Sequence, residues 1–140
     1  MLQVTPYLSF NGQCEEAFKF YEKHLGGKIT FMMTYGDAPG HESIPPEWAK
    51  RIMHVTLALG DRLLQGADAP GEYEKPQGFS ISLGMSDAAE AERIFKALEE
   101  KGVVGMPLQE TFWALRFGVV TDQFGTPWLI NCEKTAEEAR

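Results

Sequence analysis

The sequence contains the same succession of predicted elements twice, and this internal duplication limits the fold more than any single motif does. Each half is predicted to form one strand, one helix and three strands, an order written here as βαβββ. The predicted helix segment EEAFKFYEK of the first half aligns with EAERIFKAL of the second half. The two halves are therefore offset by about 74 positions in the sequence. Two such modules in tandem predict an α+β fold.

The first module spans about residues 4–67. A strand at residues 4–10 ends in the turn signal Asn11-Gly12, and apolar residues at helical spacing predict a helix over 14–25 that stops at Gly26. A strand at 28–35 and a loop at 36–50 follow, with one helical turn predicted near Trp48. Strands at 52–59 and 62–67 are joined at Gly60-Asp61, a hairpin-type turn.

The second module spans about residues 77–133 and repeats this order. A strand at 79–83 precedes an amphipathic helix over 87–101, which Ser86 or Asp87 can cap and Gly102 ends. Three strands follow, and the tail after them is predicted to be a frayed helix or disordered. We therefore interpret residues 1–140 as a single domain. The three strands are predicted at residues 103–110, 117–121 and 127–132, and the tail at 134–140.

Composition excludes several classes of protein. The net charge of −7 opposes binding to phosphate backbones, so no nucleic-acid partner is predicted. No apolar run reaches the roughly 18 residues that a membrane span needs, and the N-terminus lacks the features of a secretory signal. Two cysteines, Cys14 and Cys132, are too few for a disulfide-built secreted fold. These features predict a protein of the cytoplasm without a membrane partner.

Two stretches carry a resemblance to a known family. Residues 6–27, PYLSFNGQCEEAFKFYEKHLGG, resemble the first strand and helix of the glyoxalase/bleomycin-resistance (vicinal oxygen chelate) superfamily. Residues 111–128, TFWALRFGVVTDQFGTPW, resemble the PhnB-like, or demethylubiquinone 3-methyltransferase-like, branch. The resemblance covers residues 5–133, with departures at Ala114, Gln123 and Thr126. Matching residues of the second stretch are Phe112, Trp113, Arg116, Gly118, Asp122, Phe124, Gly125 and Trp128.

The resemblance implies that the two modules form a curved mixed sheet, or cup, and that the protein is a homodimer. It also implies a divalent metal held by His and Glu in catalytic members. The positions equivalent to those ligands are Pro6, Ser80, Leu64 and Leu129, and none of them binds metal; a shift of one residue would bring in Gln65. We therefore predict no metal site and no cofactor. The chain also lacks the glycine-rich strand-to-helix loop expected for an adenosyl cofactor.

His54 is the strongest candidate for a functional residue. It lies in IMHVTLAL, where Val55 and Leu57 alternate toward one face, so that His54 and Thr56 face the cup. We interpret His54 as a hydrogen-bonding group of the pocket, a general base or a lone metal ligand. The alternative is a half-buried histidine with a structural role.

Other candidates surround the same predicted cup. Glu110 is a candidate acid or base that could partner His54, or else a solvated residue at a strand edge. The predicted ligand-binding residues besides His54 are Ser80, Ser82, Trp113 and Phe10.

Three functions are compatible with these residues. The first is a metal-independent protein that binds a small molecule in the cup. The second is an enzyme, a lyase, isomerase or dioxygenase, with a non-standard site built on His54 and Glu110. The third is a dimeric assembly domain whose cup is filled by Leu8, Phe10 and two further leucines, Leu64 and Leu129. The fold alone does not choose among them.

Overall fold

A computed structural model describes residues 1–139 of the chain, apart from the side chain of His41. The chain forms two compact units, residues 1–74 and residues 75–140. Each unit consists of one four-stranded sheet and one helix of 12 residues. The α+β class and the duplicated βαβββ order that the sequence predicts are both confirmed.

The first unit contains the elements β1 (Tyr7–Phe10), α1 (Cys14–Leu25), β2 (Lys28–Thr34), β3 (Ile52–Leu59) and β4 (Arg62–Asp68). Its strand order is β1-β4-β3-β2, with β1 parallel to β4 and the other neighbours antiparallel. Helix α1 has Glu15 and Glu16 in its first turn, where they favour the helix dipole, and Gly26 in the left-handed conformation at its end. Three 3₁₀ turns occupy the predicted loop between β2 and β3, one of them at Pro46–Trp48 as expected. The 3₁₀ turns are Tyr35–Asp37, His41–Ser43 and Pro46–Trp48.

The second unit contains the elements β5 (Ile81–Met85), α2 (Ala88–Glu99), β6 (Val103–Gln109), β7 (Ala114–Thr121) and β8 (Pro127–Glu133). It repeats the arrangement of the first unit, with strand order β5-β8-β7-β6 and β5 parallel to β8. Helix α2 is capped by Asp87, whose side chain accepts a hydrogen bond from the Ala89 amide at 3.1 Å. Of the two predicted caps, Asp87 is thus the one used.

Several boundaries differ from the prediction, among them that of β1, which begins at Tyr7 rather than at residue 4. Strand β5 begins at Ile81, so Ser80 precedes the strand. Strand β7 begins at Ala114, three residues early, because Ala114 pairs with Glu133 across the sheet and is buried. The predicted tail has a turn at residues 136–139, in which the Ala139 amide donates to the Thr135 carbonyl; residue 140 lies outside the described residues.

The core of the first unit lies between α1 and its sheet. Phe18 contacts Phe10 and Tyr21 edge to face, with ring centroids 6.0 and 5.6 Å apart. Gly66 in β4 permits this close approach, because a Cβ there would lie 2.7 Å from the Phe18 ring. In the second unit, Gly118 has the same role beside Phe95 of α2, at 2.7 Å.

Asp68, at the end of β4, ties three segments of the first unit together. Its Oδ1 accepts hydrogen bonds from the amides of Gly12 and Cys14 at 2.8 and 3.1 Å, and its Oδ2 accepts from the amide of Ile52 at 2.8 Å. The side chain is buried, so these charge-assisted bonds replace its hydration. They fix the turn that leads into α1 and the start of β3.

Both cysteines are buried free thiols, which leads to a first prediction. Burial, together with the negative charges of Asp68 and Glu15, raises the pKa of the Cys14 thiol. Because the thiolate is the reactive form, modification by a disulfide reagent at pH 8 is expected to be at least about 100-fold slower in the native protein than in urea. A stopped-flow assay of both states measures this ratio, and equal rates would show that Cys14 and Cys132 are accessible.

Candidate functional site

The sheet of the first unit has two unlike faces. Leu8, Phe10, Val55, Leu57 and Leu64 are buried on the side of α1. The opposite face, named here the far face, carries polar side chains at adjacent register positions. Tyr7 of β1 pairs with Gln65 of β4, which pairs in turn with Thr56 of β3, two residues from His54 on the same strand.

Hydrogen bonds join these four side chains into one row across three strands. Gln65 Nε2 donates to Thr56 Oγ1 at 3.2 Å, Thr56 Oγ1 lies 3.2 Å from His54 Nε2, and His54 Nδ1 lies 3.2 Å from Tyr7 Oη. All three distances are at the long end of the hydrogen-bond range. We call Tyr7, His54, Thr56 and Gln65 the polar row.

Aromatic rings flank the row on both sides of His54. The rings of Tyr7 and Phe31 lie 5.7 and 5.8 Å from the imidazole, and Phe31 comes from the neighbouring strand β2. Tyr7 and Phe31 are exposed over about half of their surface, at 52% and 45%. Burial of part of the phenol raises the pKa of Tyr7, so its hydroxyl stays protonated. The row can therefore offer hydrogen bonds to a ligand that packs against the two rings.

Three side chains expected in the cup belong instead to the helix side. Phe10 packs on Phe18 of α1 and is 1% exposed, so it does not share a face with His54 and cannot contact a ligand on the far face. Leu8 and Leu64 are buried on that same side. The prediction that these three fill the cup is wrong, because strand alternation directs them into the core under α1.

The predicted equivalence of Leu64 and Leu129 is also wrong. Leu64 lies on the helix side of its sheet, whereas Leu129 pairs with Ser82 and Val119 on the face opposite α2. The cause is the preceding turn: β3 and β4 are joined by two residues, Gly60-Asp61, while five residues, 122–126, separate β7 from β8. Counting from each glycine therefore shifts the register by one, and Gln65 rather than Leu64 lies on the far face.

The residues of the polar row do not fit a divalent metal. Both ring nitrogens of His54 already have hydroxyl partners, and the neighbouring groups are a phenol, an alcohol and an amide. These are poor ligands for the metals that imidazole and carboxylate sites hold. Among the side chains that the structure describes, no three His, Cys, Asp or Glu groups come together as they would around an ion.

The predicted site residues of the second unit lie on and beside its own sheet. Ser82 is an exposed residue of β5 opposite Leu129, and Ser80 is exposed just before that strand. On the same face of the sheet, Asn131 donates from Nδ2 to Glu133 Oε1 at 3.2 Å. Its Oδ1 is buried and accepts no hydrogen bond from the described residues. Asn131 is a polar residue that reading the sequence missed.

Trp113 belongs to a short ladder of aromatic rings. It contacts Phe112 and Phe117 edge to face, with centroids 4.8 and 5.2 Å apart. Its amide donates to Thr111 Oγ1, and its carbonyl accepts from the Lys134 amide. The ring is 40% exposed, so it is accessible while its backbone is fixed.

Glu110 is held in an ion pair within the second unit. Its Oε2 lies 2.8 Å from Lys134 Nζ, and Glu110 is mostly exposed whereas Lys134 is largely buried. The hydrogen bond and charge of Lys134 lower the pKa of the Glu110 carboxyl, so that it stays ionised and is a poor proton donor at neutral pH. His54 and Glu110 each have their partners in their own unit.

This ion pair gives a prediction on pH. Replacing Lys134 by glutamine is expected to raise the pKa of Glu110 toward its ordinary value, because the hydrogen bond to the carboxylate and the nearby positive charge are lost together. The depressed pKa contributes stability above the unfolded-state value that disappears as the pH falls through the folded-state value. A ¹³C NMR titration of the carboxyl measures the shift, with Lys96→Gln as the control; identical titrations would contradict the pairing.

Several residues of the PhnB-like motif, residues 111–128, form a buried turn. Asp122 Oδ1 accepts from the amides of Phe124 and Thr126 at 2.8 and 3.0 Å, and its Oδ2 accepts from the Trp128 indole at 2.8 Å. Gly125 has a φ of 92°, which favours glycine. Arg116 pairs with Glu92 of α2 at 2.9 Å. These motif residues therefore shape the second unit.

The first unit also contains a cavity of about 400 Å³ beside the 3₁₀ turns. Tyr35 and Trp48 form two perpendicular walls, with centroids 5.5 Å apart, and Pro45 and Pro70 are among the other lining residues. The Arg51 guanidinium lies 4.2 Å from the centroid of the Trp48 ring. This cavity is apolar in character and distinct from the polar row.

Family comparison matches residues 2–131 to the family described as 3-demethylubiquinone-9 3-methyltransferase. A methyl transfer would need a methyl donor, and the described chain does not fit an adenosyl group of the dinucleotide-fold type. Each sheet has a single parallel pair of strands, and the amides of Gly12 and Cys14 at the β1–α1 turn are already bound by Asp68.

Individual relatives cover almost the whole chain. Protein YjdN of Escherichia coli K12 is 34% identical over 143 residues, which is 95% of this chain and 97% of the relative. The crystal structure of PA1353 from Pseudomonas aeruginosa is 47% identical and has a TM-score of 0.88, over 96% of this chain and 100% of that one. A PhnB protein of Bacillus cereus, 22% identical, shares the fold with a TM-score of 0.79 over 93% and 98% of the two chains. The chain therefore belongs to the 3-demethylubiquinone-9 3-methyltransferase family.

Proposed function

We propose that the protein binds a small organic molecule on the far face of its first sheet, with a polar oxygen of the ligand on the polar row and its apolar part against Tyr7 and Phe31. One observation carries this proposal: three hydrogen bonds in series join side chains of β1, β3 and β4 beside two half-exposed rings. Few polar groups at defined positions among apolar ones are typical of ligand sites.

Binding is proposed to be independent of metal, because the row lacks the carboxylates that would complete a site around His54. Elemental analysis of untagged protein is expected to find well under one metal per chain. Titration with Ni(II), Zn(II), Mn(II) or Fe(II) should change the melting temperature by less than about 1 °C. One tightly held metal per chain, lost in His54→Ala, would overturn this part and favour the enzyme.

The proposal also includes ligand contacts on the second unit, a homodimer and a cytoplasmic location. Ser82 and Trp113 are accessible on the second unit, and we retain them, with Ser80, as candidate ligand contacts there. The family resemblance supports a homodimer, and the two unpaired thiols support a reducing, cytoplasmic location. In the described part of the chain, neither helix has the length and apolar character needed to cross a bilayer.

The experiment uses a matched pair of probes with ¹⁵N-labelled protein. Acetophenone carries one acceptor oxygen beside a ring, and isopropylbenzene has nearly the same shape without the oxygen. Acetophenone should shift the amide signals of Tyr7, His54, Thr56 and Gln65 to saturation. Isopropylbenzene should bind about 3–10-fold more weakly, the value of one hydrogen bond. Equal affinities, or shifts confined to other residues, would contradict the proposed site.

A further inference from the structure

The hydrogen bonds of the polar row run in one donor-to-acceptor direction. Gln65, at one end of the row, sets this direction. The amide nitrogen of Gln65 donates to Thr56 Oγ1, so this oxygen acts as an acceptor toward Gln65. The Thr56 hydroxyl still has one hydrogen to donate. Among the described contacts of Thr56, the acceptor within reach is His54 Nε2, at 3.2 Å.

This arrangement determines the tautomer of His54. A neutral imidazole whose Nε2 accepts a hydrogen bond carries its proton on Nδ1. Nδ1 lies 3.2 Å from Tyr7 Oη and would donate to it. The hydroxyl hydrogen of Tyr7 is then free to point away from the row, and Tyr7 is 52% exposed. The row thus ends in a hydrogen-bond donor that a ligand can reach.

The opposite direction is less favourable. With the proton on Nε2, His54 would donate to Thr56 Oγ1, which would then accept twice, while the Thr56 hydrogen would lack an acceptor among the described contacts. Thr56 is half-buried, and a hydroxyl hydrogen left unpaired there costs free energy. In the first direction the unused hydrogen belongs to the exposed Tyr7, where water satisfies it.

We propose that Gln65 determines ligand specificity without contacting the ligand. Through Thr56 and His54, Gln65 keeps the Tyr7 hydroxyl as a hydrogen-bond donor. The site therefore binds ligands whose polar atom is an acceptor, such as a ketone or ether oxygen. A ligand whose polar group is a lone N–H donor would meet a donor and lose its hydrogen bond. Gln65 is a positioning residue in this scheme and Tyr7 contacts the ligand. The inference rests on the function proposed above.

Gln65→Glu tests the direction, because a carboxylate only accepts. Thr56 would turn its hydroxyl hydrogen toward the new carboxylate, His54 would carry its proton on Nε2, and Nδ1 would accept from Tyr7. Tyr7 would then present oxygen lone pairs to the ligand. Thr56→Val, which cuts the row without adding charge, is the second variant, and Gln3→Glu at the exposed N-terminal segment controls for the charge.

Long-range ¹H–¹⁵N spectra of the imidazole, recorded where the ring is neutral, report the tautomer without any ligand. We expect Nδ1–H in the wild type and in Gln3→Glu, Nε2–H in Gln65→Glu, and no strong preference in Thr56→Val. In Gln65→Glu, acetophenone should bind about 3–10-fold more weakly and indole, a donor, correspondingly more tightly.

The outcomes separate the two proposals. An Nε2–H wild type, or one tautomer in all variants, would overturn the role of Gln65 even if acetophenone binds at the row. A tautomer that switches as expected, in a protein whose polar row does not respond to acetophenone, would confirm the direction and overturn the proposed function. If Gln65→Glu does not fold, the wild-type tautomer still decides, since only Nδ1–H agrees with the inferred direction.

Discussion

Replacing Asp68 by alanine is expected to lower the free energy of unfolding by about 3–5 kcal/mol. The carboxylate accepts from three backbone amides, those of Gly12, Cys14 and Ile52, and it is 1% exposed. Alanine leaves these amides without an acceptor at a position that water does not reach readily. The turn before α1 and the start of β3 lose their common anchor. Urea denaturation followed by circular dichroism measures the change.

Two further variants make this result specific. Asp68→Asn keeps one oxygen but places an NH₂ group against amide donors, so its stability should lie between those of the wild type and Asp68→Ala. Asp61→Ala removes an almost fully exposed carboxylate in the turn between β3 and β4 and should leave stability unchanged. If Asp68→Ala and Asp61→Ala were equally stable, Asp68 would not anchor the first unit.

Substitutions in the polar row are expected to have the largest effect on ligand binding. His54→Ala removes the group that holds the Tyr7 hydroxyl and the ring packed between Tyr7 and Phe31. It should raise the Kd for acetophenone about 10-fold or more, whereas Tyr7→Phe, which removes one hydroxyl, should raise it about 3–10-fold. NMR titration of each variant gives the affinities.

His24→Ala is the matched control, because His24 is a histidine of α1 whose ring contacts Phe20, outside the far face. Its affinity for acetophenone should equal that of the wild type. Circular dichroism of each variant establishes that the fold is retained, as expected for residues that are not fully buried. Unchanged binding in both His54→Ala and Tyr7→Phe would place the ligand elsewhere in the protein.

Strand alternation was enough to predict the face on which His54 lies. Val55 and Leu57 are buried against α1, and His54 and Thr56 lie on the opposite face, because a strand directs successive side chains to opposite sides. The helices were predicted equally well. The predicted span of the first helix, residues 14–25, is the observed one, and Asp87 caps the second helix as predicted. These features depend on local periodicity and capping.

The pairing of residues on neighbouring strands could not be predicted in this way. Tyr7 was missed because its partner Gln65 lies 58 positions further along the chain and is brought beside it by parallel pairing of β1 with β4. Asp68 was missed because its three amide partners lie 16 to 56 positions away. The ligand positions were misaligned because the two modules join their last two strands by turns of different length. Periodicity gives the face of a residue but not its neighbour on the next strand.

The proposed site depends both on strand alternation and on the pairing of residues on neighbouring strands. His54 alone is compatible with a metal ligand, a base or a structural histidine. Its hydroxyl partners on both ring nitrogens, Tyr7 and Thr56, support the hydrogen-bonding role that we propose. Glu110, predicted as its partner, is engaged by Lys134 in the other unit.

A crystal structure of the protein soaked with acetophenone tests the central claim most directly. We predict the ketone oxygen within hydrogen-bond distance of Tyr7 Oη, about 2.7 Å, with the phenyl ring against Phe31. Acetophenone found instead only in the cavity beside Tyr35 and Trp48, or only on the second sheet near Asn131, would contradict the assignment of the polar row as the ligand site.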